Sequence, residues 1–321
     1  MFAYVIRRLI LFIPVLLGVS LIIFLVMRIV PGDAAYATLA GRGGEGIVTE
    51  EALATMRQRL GLNKPYPQQY LDWVWGMARL DFGTSLTTRV PVWKEVTQRL
   101  PITIELAVLT ALIATAVAVP VGTFSALHQD TPLDYILRIV TIIGLAAPTF
   151  WIGTLTIMAL VRYFDWIPPL GFSSVLDDPW TNFQQIIWPA VGLGYHHVAV
   201  IARMTRSSML EVLRQEYVRT AWAKGLRQRV VINRHALKNA MMPVVTLIGV
   251  QFAVLLGGTV IMESIFSIPG MGRALIEGIQ LRDYTVVQGC VVIFALLILI
   301  VNLLVDLLYA WLDPRIGYGA S

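Results

Sequence analysis

Cysteine and charge are scarce in this chain. One cysteine, Cys290, occurs in 321 residues and sits inside an apolar run, so no intrachain disulfide can form and thiol redox chemistry or cysteine-built metal clusters are poor fits. Charged residues make up 14%, against about a quarter in an ordinary soluble domain. A nucleotide-binding P-loop is missing too. The glycine-rich Gly41-Arg42-Gly43-Gly44-Glu45-Gly46 lacks the lysine and hydroxyl that G-x-x-x-x-G-K-[ST] requires; it reads as a loop, and the chain cannot hydrolyse ATP by itself. Asp81-Phe82-Gly83 copies a kinase tripeptide, but neither H-R-D nor V-A-I-K accompanies it. There is no internal repeat of about 20–50 residues and no low-complexity tail.

What is present is hydrocarbon. The hydrophobic set makes up 57% of the residues, and the mean hydropathy is +0.70. A helix needs about 20 apolar residues to cross a bilayer. Six stretches meet or approach that length: 9–27, 106–127, 139–161, 183–202, 241–262 and 286–305. The fourth is the weakest, with Pro189, glycines and the pair His196-His197. The first resembles a signal peptide, with Arg7 and Arg8 in front and Ala35-Tyr36-Ala37 behind. Its core is longer than the usual ~7–15 residues, so it reads as a retained anchor.

Basic side chains orient the spans, because cytoplasmic loops keep Lys and Arg. Segment 203–240 holds nine of them against Glu211 and Glu216, a net +7 that exceeds the +5 of the whole chain. Segment 31–98 carries seven basic and seven acidic residues and belongs outside. Both termini are then expected in the cytoplasm. Thr49 followed by Glu50 and Glu51 is a helix start, with Leu53, Met56 and Leu60 on one face and Gly61 as a stop. Leu71, Trp73, Trp75 and Met77 suggest a second amphipathic piece near the outer surface. The expected organisation is an N-terminal membrane helix (1–30), a small extracytoplasmic cap (31–98) and a five-helix core (99–315) with a loop at 203–240.

Several residues invite chemistry without supporting it. His196 and His197 point about 100° apart on a helix and cannot chelate one ion from one face, so one is expected to hydrogen-bond inside the bundle and the other to face a cavity or the boundary. No metal or other cofactor is expected. Ser207 and Ser208 fall in the basic stretch, away from any histidine that would activate them. Glu105, Arg138 and Arg162 stand at span ends, where snorkelling and capping account for them. Asn302 and Asp306, four apart, share a face of the last span and are read as holding it against a neighbour.

The informative segment is Tyr217-Val218-Arg219-Thr220-Ala221-Trp222-Ala223-Lys224-Gly225-Leu226. Leu210, Leu213, Tyr217 and Ala221 fall at helical spacing, and Gly225 can end a helix in left-handed conformation. The chain is then expected to run through Arg234 and His235 to Pro243, where the fifth span begins. A bundle driven by a cytosolic motor needs a rigid contact element of this kind, and small side chains such as Ala221 and Ala223 let a partner approach.

This segment resembles the "EAA" loop of ABC-importer permeases, in which E-A-A is followed by three residues and a glycine. Arg219-Thr220-Ala221 stands in place of E-A-A and Gly225 matches the glycine. The acidic position is arginine and Pro243 lies farther on than in the general pattern, as in permeases of dipeptide, oligopeptide, nickel and glutathione importers. Further blocks look like the same family, in order along nearly the whole chain: Pro31-Gly32-Asp33, Arg59-Leu60-Gly61-Leu62, Asp81-Phe82-Gly83-Thr84-Ser85, Arg203 to Met209, His235 to Ala240, and Asp283-Tyr284. The resemblance implies an all-α, six-helix type I importer permease in a prokaryotic cytoplasmic membrane. It also implies a second homologous permease subunit, two cytosolic ABC ATPase subunits and an extracytoplasmic solute-binding protein as partners. Coupling to the ATPases would fall on Tyr217, Arg219, Thr220, Ala221 and Gly225. Peptides are the leading solute, with nickel, glutathione or another small solute such as an oligosaccharide as alternatives. A stand-alone secondary transporter would need inverted repeats or mid-span charges, and an intramembrane enzyme a reactive pair; neither is found.

Overall fold

The computed structural model describes residues 2–29, 34–40, 49–169 and 171–312. Pro31-Gly32-Asp33 and the glycine-rich 41–46 lie outside the described residues. Those described are almost entirely helical, with one isolated bridge between Thr84 and Pro91. The chain forms two compact units, residues 1–103 with 269–300, and 104–268 with 301–321.

In the first unit, α1 (Phe2–Ile29) is an apolar span, followed by the short α2 (Ala34–Ala40). Helix α3 (Glu50–Arg59) starts as its sequence predicts, the Thr49 hydroxyl accepting from the Ala52 N–H. It stops at Gly61, whose φ is +66°, with the Leu62 N–H donating to the Arg57 carbonyl at 2.9 Å. Helix α4 (Tyr66–Ala78) packs on α1 through Phe24, Tyr70 and Trp73, whose ring centroids lie 5.5–6.3 Å apart, and Leu71 and Trp75 remain exposed. Two blocks singled out in the sequence meet here. The Asp283 carboxylate accepts from the Ser85 hydroxyl at 2.6 Å and from the Thr87 N–H at 3.1 Å, and Phe82 stacks on Trp93. The kinase-like tripeptide is therefore a structural turn.

Helix α5 (Val92–Leu127) begins in the first unit and continues from residue 104 in the second, where it ends near Thr131, which caps α6 (Pro132–Ala146). The third apolar stretch is not one continuous helix. It breaks at Ala147-Pro148, and α6 meets α7 (Thr149–Phe164) at 107°. Proline holds the residue before it in extended conformation, and Ala147 sits at ψ 126°.

The fourth stretch lies within α8 (Pro179–Leu213), which begins at an Asp178 cap. The described helices long and apolar enough to cross a membrane are α1, α5, the 228–265 helix and the last helix, with α6 and α7 as one bent span; α8 does not reach that apolarity. Its polar side chains are satisfied by protein. Gln185 Nε2 donates to the Gly171 carbonyl at 2.6 Å, Asn182 donates to the Ser173 carbonyl and to Glu105, and buried His197 contacts Gln251 at 3.2 Å. A helix surrounded by α6, α7 and the fifth span has no need of a lipid-compatible surface.

The remaining elements are α9 (Glu216–Ala223), α10 (Gln228–Val230), a π-helical stretch Val231–Leu237, α11 (Lys238–Ile265), α12 (Met271–Gln280) and α13 (Tyr284–Leu312). The fifth span does not begin at Pro243. Helix runs continuously from Gln228 to Ile265, and the proline lies inside it, one turn into α11. On α13, Asn302 is exposed while Asp306 is half-buried and has an interaction partner; α11 and α13 approach at Gly249 and Val305.

Candidate functional site

The segment that the sequence marks for coupling is built from three pieces. Helix α8 ends at Leu213; Arg214 closes it, and Gln215 turns extended at ψ 146°. Leu210 and Leu213 thus belong to α8, and Tyr217 and Ala221 to the separate α9, so the expected single helix is a helix–turn–helix. The physical reason is at the junction, where Arg214 and Gln215 bond back to Glu211 and Val212 in a turn.

Helix α9 is eight residues long, too short to be stable alone. Its anchor is apolar. Val218 and Ala221 are buried against Val231 of the π stretch, with Val212 and Leu213 beside them. Ala221 is therefore turned inward. Its small side chain lets α9 lie close on the π segment, and it does not face a partner as the sequence reading expected. Ala223 is exposed.

The outward face carries the other named residues. The Tyr217 hydroxyl accepts from Asn239 Nδ2 at 2.8 Å, tying α9 to the start of α11. Arg219 pairs with Glu216 at 2.9 Å, both well exposed, a contact worth only a few tenths of a kcal/mol. The Thr220 hydroxyl donates to the Glu216 carbonyl at 2.9 Å. Gly225 ends the element at φ +73°, and its N–H donates to the Trp222 carbonyl at 2.9 Å. This left-handed position penalises any side chain by about 1 kcal/mol or more.

The sequence reading passed over Trp222. Trp222 lies about 40° round the helix from Val218, on the flank of the buried face, and is 44% exposed. A tryptophan on a solvent-facing helix suits a protein contact, where tryptophan is enriched among energetically dominant residues.

A second constellation also went unread. Buried Asp134 on α6 accepts both Arg206 Nε (2.9 Å) and Nη2 (2.7 Å) from α8, the Ser125 hydroxyl from α5 and the Asp130 N–H at 3.2 Å. It joins three helices. Beside it Gly122 allows α5 and α8 to touch, because a Cβ there would lie 2.5 Å from the Ala202 carbonyl oxygen. Arg206 is thus a structural partner as well as a topological charge.

Among the described residues no group of three His, Cys, Asp or Glu side chains is placed to hold a metal. His197 hydrogen-bonds within the bundle and His196 is half-buried beside it, the rings 5.5 Å apart.

Comparison with known proteins agrees with this architecture. The model for "Binding-protein-dependent transport system inner membrane component" matches residues 118–318, and its N-terminal companion matches 1–107. The chain is 43% identical to the dipeptide transport system permease protein DppB of Escherichia coli (strain K12), over 99% of each chain. It is 39% identical to the protein of the same name in Alkalihalophilus pseudofirmus, over 99% of this chain and 100% of that one, and 41% identical to the di/tripeptide transport system permease protein of Pseudomonas aeruginosa, over 99% of each. Two solved structures share the fold at low identity. One, of an amino acid ABC transporter, has TM-score 0.52 and 16% identity, covering 68% of this chain and 94% of that one. The other, an inward-facing form of the MetNI methionine ABC transporter, has TM-score 0.56 and 15% identity, covering 68% and 96%. On this full-length similarity and its helical membrane fold, the chain belongs to the family of binding-protein-dependent transport system inner membrane components.

Proposed function

We propose that the chain is the permease subunit of an ATP-driven ABC importer that carries dipeptides and oligopeptides across the cytoplasmic membrane. The observation that carries this reading is the full-length identity of about 40% to permeases named for dipeptide and di/tripeptide transport. A second, related permease completes the path. Two cytosolic ATPases supply the energy and a solute-binding protein delivers peptide from outside, with α3 and α4 forming a small cap on that side. The +7 charge of segment 203–240 supports a cytoplasmic α9 and cytoplasmic termini.

The mechanism assigned to α9 is mechanical. Tyr217, Arg219, Thr220 and Trp222 form the face gripped by an ATPase. Val218 and Ala221 seat the helix on the π stretch, and Gly225 sets where it ends. Because the π stretch continues directly into α11, a push on α9 reaches the fifth span without crossing a loop. ATPase closure then opens the bundle outward, and hydrolysis resets it.

The test is reconstitution of all five components in proteoliposomes with labelled dipeptide. Uptake should require ATP and every subunit. Uptake by this chain alone, or without ATP, refutes the proposal. The side of α9 is read by labelling a Trp222→Cys variant with an impermeant maleimide. The native thiol Cys290 is buried and gives little background, and labelling from outside intact cells would overturn the orientation.

A further inference from the structure

A cavity of about 780 Å³ opens between α5, α6 and α8. Arg138 of α6 and Arg203, Arg206 and Arg214 of α8 and its cap line it, with Glu211 as the one carboxylate on its wall. Arg206 is committed to Asp134. Among the described residues, Arg138, Arg203 and Arg214 have no ion-pair partner. The sign of these charges restates the topology rule, but their convergence does not. Three guanidinium groups outside any ion pair, from two helices, line one hollow, where they repel one another unless an anion lies between them.

The position of the cavity narrows the kind of anion. Arg138 immediately precedes the apolar stretch 139–161, and Arg203 immediately follows 183–202, so both mark the same edge of the hydrocarbon. The cavity wall continues into Leu137 and Ile142. Along α6, Ile136, Ile139 and Ile143 are 51–57% exposed. A free anion would use only the arginines; a lipid uses both surfaces. The hydroxyl group of Ser207 supplies a further donor for a phosphate oxygen, the Thr141 hydroxyl being already committed to the Arg138 carbonyl at 2.8 Å.

We infer that this cavity holds the phosphate headgroup of an anionic phospholipid of the inner leaflet, between Arg138 and Arg203, with its acyl chains along α6. The inference goes beyond the transport reading, and its choice of leaflet rests on the orientation proposed above. Basic pockets between membrane helices on the cytoplasmic side are suited to such headgroups, each basic residue being worth about a fivefold change in binding.

The test uses the complete transporter, purified in mild detergent with mixed phosphatidylglycerol and phosphatidylethanolamine and examined by native mass spectrometry. Wild type should retain phosphatidylglycerol preferentially. Arg138→Gln and Arg203→Gln should each lower its retention about fivefold and the pair about 25-fold, while Arg234→Gln, which changes the same net charge outside the cavity, should leave it unaltered. Both targets are exposed and neither is in an ion pair, Arg138 lying only over the Tyr135 ring at 5.4 Å, so the fold should survive. If the double glutamine variant does not assemble, the single variants are compared with Arg138→Lys, which should keep the lipid. Retention unchanged by the glutamine variants, or lowered equally by Arg234→Gln, overturns the inference. Displacement of the lipid by millimolar glycerol phosphate overturns the lipid source in favour of a soluble phosphate compound.

Discussion

Gly225 allows the coupling role of α9 to be tested with little steric confusion. Its φ is +73°, and a Cβ added there meets nothing within 4 Å. A substitution therefore acts through backbone conformation alone. Alanine in the left-handed region costs about 1–2 kcal/mol, asparagine less because its amide bonds locally, and β-branched valine more. Each 1.4 kcal/mol lowers the population of correctly ended α9 tenfold relative to its alternatives. If α9 transmits the ATPase stroke, peptide uptake per ATP hydrolysed should fall in the order Gly, Asn, Ala, Val, with roughly a five- to thirtyfold loss of the properly ended state at alanine. Subunit assembly should change less than coupling, since Val218 and Ala221 still seat the helix. The assay is uptake and phosphate release measured together in proteoliposomes. A valine variant that couples as well as wild type, or a ranking in which asparagine is worst, would refute the reasoning.

Three other perturbations follow from the same structure. Asp134→Ala strands Arg206, whose side chain is 20% exposed, together with Ser125 and the Asp130 N–H; a loss of about 3 kcal/mol should lower the melting temperature in detergent by roughly 6–12 °C, and Arg206→Met in the same chain should restore part of it. Gly122→Ala drives a Cβ into the Ala202 carbonyl oxygen at 2.5 Å and the Thr205 Cβ at 2.7 Å, so thermal unfolding should show a loss of about 1–3 kcal/mol, whereas Gly257→Ala, where a Cβ meets open space, should not. The hydrogen bonds from Thr181 and Trp180 hold the Asp178 carboxyl below its ordinary value, so its capping contribution is fully present above about pH 4 and is lost as pH falls through the depressed value; hydrogen exchange at the start of α8 should separate wild type from Asp178→Ala at neutral pH, and the separation should close on acidification.

The sequence made legible whatever one local rule decides. Thr49 and Gly61 bound α3 because a hydroxyl cap and a left-handed glycine act within a few residues. Gly225 stops α9 for the same reason. Five of the six apolar stretches fall within single helices, and the third is divided between α6 and α7, because hydrocarbon length is a property of a single segment. The order of family-like blocks pointed to the architecture, and two of those blocks, at Ser85 and Asp283, are tied by a direct hydrogen bond across 198 residues.

What escaped depends on neighbours. Asp134 carries no signal in the sequence, because its partner Arg206 comes from α8, 72 positions away. Ala221 was read as a small residue offered to a partner, yet Val231, ten residues later, decides which way it points. Helix α8 read as the doubtful span for a reason that follows from its position: hydropathy measures fitness for lipid, and this helix is dressed for protein. The bonds of Asn182, Gln185 and His197 go to other segments of the same unit, so a polarity that would be costly against acyl chains is satisfied here. The same reasoning gives the break at Pro148 its meaning. Two helices of 15 and 16 residues, meeting at a right-angled elbow, can wrap a polar central helix in a way one straight span cannot. The low apolarity of α8 and the bend beside it are two consequences of one packing arrangement.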